Sequence, residues 1–205
     1  FMISVLNEPY NASDIEQLVL NAHYLGAFII AISGFMLSLV FKRLSSGKAM
    51  PVLLFLWACA WWFGAMLHDY DIADRGIGIW QYSVLYFSFT ILAATILQSR
   101  LEWSAMKKLT AFTTLSAPIL VLFAAIEFNA PLMMPSWAYW AAFLVAGIYA
   151  LWSEANNEAA EKSRAGGFIH IVLLWSAALA FSLQWHYQVD TQWNLAQGWY
   201  APAIC

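Results

Sequence analysis

The side chains best suited to chemistry gather in one short stretch, His68, Asp69, Asp71 and Asp74, written HDYDIAD. Magnesium and calcium are held by several carboxylate oxygens, and Asp69, Asp71 and Asp74 offer three carboxylates within one loop. A divalent metal there could grip the diphosphate of a lipid-linked carrier, with His68 or Glu127 as the acid-base group. The pattern departs from an EF-hand loop, because the internal glycine and the closing bidentate glutamate are missing. A solvated rim of polar side chains at a membrane surface has the same composition. The expectation is therefore no bound cofactor, with a divalent metal on the three aspartates as the one inorganic candidate.

Other ionisable groups fall at matching depths. His23 lies in the first turns of an apolar run, Glu127 closes another, and His186 and Asp190 follow a third. If the helices bundle tightly, these groups converge with the aspartates on one pocket, and ionisable side chains at membrane depth are often functional. A b-type haem needs two histidines facing each other across a bundle; His23 matches His68 or His186 in depth, whereas His170 lies towards the opposite end. No haem-attachment C-x-x-C-H, phosphate loop, G-x-S-x-G elbow or H-E-x-x-H helix is present.

The elements that must position these residues are hydrophobic throughout. Of 205 residues, 62% are hydrophobic and 10% charged, against roughly 45–50% and 25% in ordinary globular chains. Such a chain has too little polar surface to face water, so lipid is its expected solvent. A net charge of -3 and the lack of a basic helix argue against nucleic acid. Cys59 and Cys205 do not suggest a disulfide framework, and Cys59 reads as a small packing residue.

A membrane crossing needs about 20 apolar residues, and that ruler yields about six: Leu18 to Phe41, Val52 to Leu67, Ile77 to Leu97, Leu109 to Phe128, Trp137 to Trp152 and Phe168 to Trp185. Lysine and arginine favour cytoplasmic loops. Lys42, Arg43 and Lys48 follow the first span; Arg100, Lys107 and Lys108 follow the third; Lys162 and Arg164 follow the fifth. Only Arg75 falls on the other side. The expected fold is an all-α polytopic transmembrane bundle with both termini extracytoplasmic. Residues 1–17 and 186–205 form outer segments, the latter leading towards a further span, and 18–185 form the bundle.

Packing signals lie on small residues, which let helices approach closely in lipid. Ala27, Ala31, Gly34 and Ser38 form one stripe, and Ala138, Ala142, Ala146 and Ala150 another; both are expected to be buried. Pro118 removes a backbone donor and should kink the fourth span, with Thr113, Thr114 and Ser116 satisfying the loosened carbonyls. Trp80, Trp137, Trp140 and Trp185 are expected at outer boundaries, and Trp103 and Trp152 at inner ones. Trp57, Trp61 and Trp62 are expected to fill space between helices.

LLFLWACAWWFGAMLHD after a basic loop, together with Ala130-Pro131-Leu132, Trp137, Trp140, Leu151, His170, Trp175 and Gln184-Trp185, resembles a family of large bacterial multi-spanning inner-membrane proteins carrying a domain of unknown function. In that family the last pair is more often an acidic residue shortly before tryptophan. The resemblance implies a bacterial inner-membrane location and a longer parent chain, and no reaction. The leading expectation is thus a structural or assembly component with a polar extracytoplasmic face, its partners being the bilayer and other membrane subunits or the remainder of a longer chain. The alternatives are an outward-facing transferase acting on a lipid-linked envelope substrate and, third, a secondary transporter.

Overall fold

In hydrocarbon every backbone polar group must find its partner within the protein, and a helix does this within one segment. Long runs that are apolar around their whole circumference therefore fold as helices with outward-facing leucines and phenylalanines. The structure, a computed structural model of the chain, describes residues 21–44, 47, 49–75, 78–128, 136–156 and 164–192. Cys205 lies outside the described residues, as do the side chains of Asp71, Glu127 and Asp190. Among the described residues the elements are all α-helices: α1 Ala22–Leu44, α2 Ala49–His68, α3 Tyr70–Arg75, α4 Ile79–Leu101, α5 Ser104–Thr114, α6 Ser116–Phe128, α7 Ser136–Asn156 and α8 Arg164–Gln192.

Five stretches are long and apolar enough to cross a membrane: Ala22–Leu44, Ala49–His68, Ile79–Leu101, Ser104–Ile126 and Ile169–Val189. This makes the chain a multi-pass membrane protein by length and composition. The outer surface agrees, since Ile29, Leu53, Ile119, Ile126, Trp175 and Phe181 are all more than half exposed. A water-soluble monomer rarely exposes so many large apolar side chains. A helix also occupies the place of the fifth expected span, α7, but Trp137, Tyr139, Trp140, Tyr149 and Trp152 dilute its aliphatic content.

The chain divides into two compact units, Phe1–Tyr82 and Ser83–Cys205, with the boundary inside α4. In the first unit α1 and α2 form an antiparallel pair. Ser38 Oγ donates to the Pro51 carbonyl at 2.7 Å, Gly34 lies against Ala58, and the Phe28 ring lies tilted against that of Trp62 with ring centres 5.6 Å apart. Partners descend α1 as they climb α2, which is the register of a helical hairpin. Of the first stripe Ala31, Gly34 and Ser38 are buried, while Ala27 is only partly covered. Trp61 and Trp62 are buried too, whereas Trp57 is half exposed, its ring 5.8 Å from that of Trp61.

The second unit is organised around α8, which packs against α5, α6 and α7. Ala146 and Ala150 are buried but Ala138 is exposed, so the alanine stripe is covered only in its second half. Gly147 there lets the Leu173 side chain approach closely. The span containing Pro118 breaks at Leu115, separating α5 from α6. Thr113 Oγ1 donates to the Leu109 carbonyl, Thr114 Oγ1 to that of Thr110, and Ser116 Oγ to that of Thr113, at 2.7, 2.8 and 2.6 Å. These three acceptors all lie before the break, and none of the three hydroxyls donates to the Thr114 carbonyl, the one that Pro118 leaves without its helical donor.

The six tryptophans expected at span boundaries differ in how far the protein covers them. Trp80, Trp103 and Trp140 are buried within the protein, while Trp137, Trp152 and Trp185 are exposed. Position along the span does not decide which face of the helix an indole occupies, and three of the six turn towards protein neighbours.

Candidate functional site

The polar side chains of the first unit meet where α1 begins and α2 ends. Asn21 starts α1: its Oδ1 accepts the Tyr24 N–H at 2.7 Å, and its backbone carbonyl accepts the Leu25 N–H at 3.0 Å. This is an N-cap, satisfying a donor that the first helical turn leaves orphaned. The same amide has a second task. Its Nδ2 donates to Asp69 Oδ1 at 2.8 Å, across the hairpin.

Asp69 sits at the turn between α2 and α3. Its N–H is shared between the carbonyls of Ala65 and Met66, at 3.3 and 3.2 Å, and its own carbonyl accepts the Ala73 N–H at 2.8 Å. The chain therefore bends at this residue without losing its backbone bonds. Gly78, at φ +92°, then reverses the direction, a conformation that costs glycine little. Its N–H returns to the Ala73 carbonyl at 2.7 Å, and its carbonyl receives the Tyr82 N–H at 3.1 Å, opening α4.

That reversal brings Tyr82 back over the aspartate. The phenol donates to Asp69 Oδ2 at 3.4 Å, a long and weak bond, and the Tyr70 ring stands edge-on to Tyr82 with centres 6.3 Å apart. Asp69 is fully buried, as are Asn21 and Tyr82. Each carboxylate oxygen thus faces a donor from a different helix, Asn21 from the start of α1 and Tyr82 from the start of α4. The aspartate ties three helix ends together.

Beside this lock lies a histidine pair. His23, in the first turn of α1, and His68, the last residue of α2, approach edge-to-face with ring centres 5.1 Å apart, and both rings are half-buried. Of the residues singled out from the sequence, His23, His68 and Asp69 are thereby brought to one end of the first hairpin. Asp74 is exposed, unlike the buried Asp69. Asp71 and Glu127 belong to α3 and α6, with side chains outside the described ones. Among the described residues no three of histidine, cysteine, aspartate and glutamate gather as metal ligands. His186 is exposed on α8 in the second unit.

Two members of the lock, Asn21 and Tyr82, are not evident from motif reading. An asparagine directly before an apolar helical run is an N-cap signal, and that rule finds Asn21. Nothing in the spacing of Tyr82 marks it, because its role depends on the turn at Gly78.

The second unit has its own polar contact. Lys107 near the start of α5 forms an ion pair with Glu154 near the end of α7, both side chains being mostly covered. Further along α8 a small apolar groove of about 70 Å³ is lined by Ala117, Trp140, Phe143, Leu173, Ser176 and Phe181, among others. Its one hydroxyl, on Ser176, is turned to the Val172 carbonyl at 2.6 Å. The groove is a packing defect among helices with no polar group aimed into it. No protein-family model, no curated protein and no solved structure matches this chain.

Proposed function

We propose that this chain is a structural or assembly component of a bacterial inner membrane, crossing it six times with both termini outside the cytoplasm. The observation that carries the reading is the environment of Asp69. It is fully buried and both its oxygens accept hydrogen bonds from other helices, so it serves as a fastening rather than as a group facing substrate.

Two contacts support the topology. Asn21 with Asp69 joins the outer end of the first span to that of the second. Lys107 with Glu154 joins the inner end of the fourth to that of the fifth. Each pairing is the one that alternating crossings require. The lipid bilayer is then the main partner, with other membrane subunits or the remainder of a longer chain seated on the outer rim, and the bacterial location rests on the resemblance of the LLFLWACAWWFGAMLHD and Trp137 to Leu151 segments.

Replacement of the chromosomal copy tests the reading against its rivals. Asp71→Asn and Glu127→Gln should preserve both protein abundance and any phenotype that deletion reveals. A transferase using a metal at Asp69, Asp71 and Asp74 would lose function at normal abundance in the first variant, and a transporter using Glu127 would lose it in the second. Either result would overturn the structural assignment.

A further inference from the structure

A gap between helices that opens onto hydrocarbon offers a seat to hydrocarbon. We infer that the groove between α6, α7 and α8 holds one acyl chain of a membrane phospholipid, lying lengthwise along α8. The inference rests on the membrane setting of these helices and not on the proposed structural role.

Continuity with the lipid-facing surface is the first support. The floor of the groove is buried, with Ala117 and Phe143 fully covered, while Leu144 and Phe181 at its rim are exposed. Ile148, one turn beyond Leu144 on α7, and Leu174, two turns before Phe181 on α8, are exposed as well. The groove thus interrupts a face made of large apolar side chains turned outward. Its α8 side, Leu173 to Phe181, falls inside the apolar stretch Ile169–Val189, at the depth of lipid tails rather than of headgroups.

Shape and chemistry are the second. Leu173, Ser176, Ala177, Ala180 and Phe181 recur at helical spacing on one face of α8, a strip about 12 Å long at about 1.5 Å per residue. Small side chains form its middle and bulky ones its ends, so the strip is a trough along the helix. A spanning helix and a lipid tail both run across the membrane, which sets the tail along the trough. An apolar cavity of about 150 Å³ takes a benzene ring; at about 70 Å³ this one has room for a few methylenes of a chain, and a fused-ring ligand is too broad. Water inside a protein needs about two to four polar partners. The walls offer it almost no polar surface, because the Ser176 hydroxyl donates to the Val172 carbonyl at 2.6 Å. Lining atoms that face a void lose their dispersion contacts, and a tail supplies them. The groove therefore selects for a chain and not for a headgroup.

The test uses the full chain reconstituted in phosphatidylcholine vesicles that include a phosphatidylcholine with a diazirine midway along one acyl chain. Light couples the tail to whichever side chain it touches, and mass spectrometry maps the adducts. Labelling at Leu144, Ala177 and Phe181 should exceed that at Ile29 and Leu53, which are exposed on α1 and α2, by about threefold or more, because the groove surrounds a tail with more contacts than an open face does. Ala177→Leu, which fills the trough, should remove this excess and leave Ile29 and Leu53 labelled as before. Groove labelling no stronger than at Ile29 and Leu53 would overturn the site, as would protection of the groove by a second copy or another protein subunit. Labelling at neither place would contradict the membrane setting itself, which separates the two failures. If Ala177→Leu fails to fold, the map of the parent protein decides the question.

Discussion

The same substitution, glycine to alanine, should have opposite signs at different positions of the first hairpin. A Cβ placed on Gly34 would stand 3.0 Å from the Ala58 Cβ, 3.4 Å from its Cα and 3.6 Å from its nitrogen. An alanine has no side-chain torsion with which to withdraw, so the contact is relieved only if α1 and α2 separate by several tenths of an ångström. Overpacking of this kind costs about 1–3 kcal/mol, and the better helix propensity of alanine returns up to about 1 kcal/mol. Gly34→Ala should therefore destabilise the protein by about 1 kcal/mol, and Gly34→Leu by more. Gly26 and Gly64 lie on the same two helices with nothing within 4 Å of an added Cβ, so alanine at either should be neutral or stabilising.

Reversible unfolding in mixed micelles, followed by helical circular dichroism, measures all three variants. Trimming the neighbour supplies the internal control. Ala58→Gly on the Gly34→Ala background should recover part of the loss, with a coupling energy of about 1 kcal/mol. Gly147 offers a gentler comparison, because the atoms a Cβ would meet are the Leu173 methyls, the far end of a side chain that can rotate aside. If Gly34→Ala is as stable as Gly26→Ala, the close approach of α1 and α2 is wrong.

Asp69→Ala should cost about 2–4 kcal/mol, since it strands two buried donors at about 1–3 kcal/mol each; the expected readout is a lowered unfolding midpoint in detergent. Tyr82→Phe removes only the 3.4 Å bond and should cost under about 1 kcal/mol, so equal losses in the two variants would contradict the lock as described. Glu102, between α4 and α5, has φ +49°, a left-handed conformation costing a residue with a Cβ about 1–2 kcal/mol. Glu102→Gly should raise the unfolding midpoint, and a fall would show that the glutamate's contacts outweigh its backbone cost.

The helical segments were legible because hydrophobicity alone determines what can lie in lipid. Their ends were not. The second span, expected over Val52 to Leu67, extends as a helix from Ala49 to His68, and the last, expected over Phe168 to Trp185, from Arg164 to Gln192. A helix need not stop at the apolar boundary, and hydropathy carries no signal for its polar turns. The break near Pro118 was readable from a single residue because proline acts locally on the backbone. The burial of Trp80 was not, because an indole's preference for the interface and its value as a packing group point the same residue type in two directions. Asp69 stood out as an acidic side chain beside a span, but its buried role depends on Asn21, forty-eight positions earlier, and on a reversal at Gly78. Such long-range pairings leave no periodic trace.

Sidedness is the most direct test of the central claim that hydrocarbon surrounds these helices with their cationic connections in the cytosol. In a background with Cys59 and Cys205 replaced by alanine, single cysteines at Ser46, Asp74 and Ala105 are treated with a membrane-impermeant maleimide in intact and permeabilised cells. Labelling of Asp74→Cys in intact cells, with Ser46→Cys and Ala105→Cys reacting only after permeabilisation, is the predicted result. Reaction of position 46 or 105 in intact cells would contradict it.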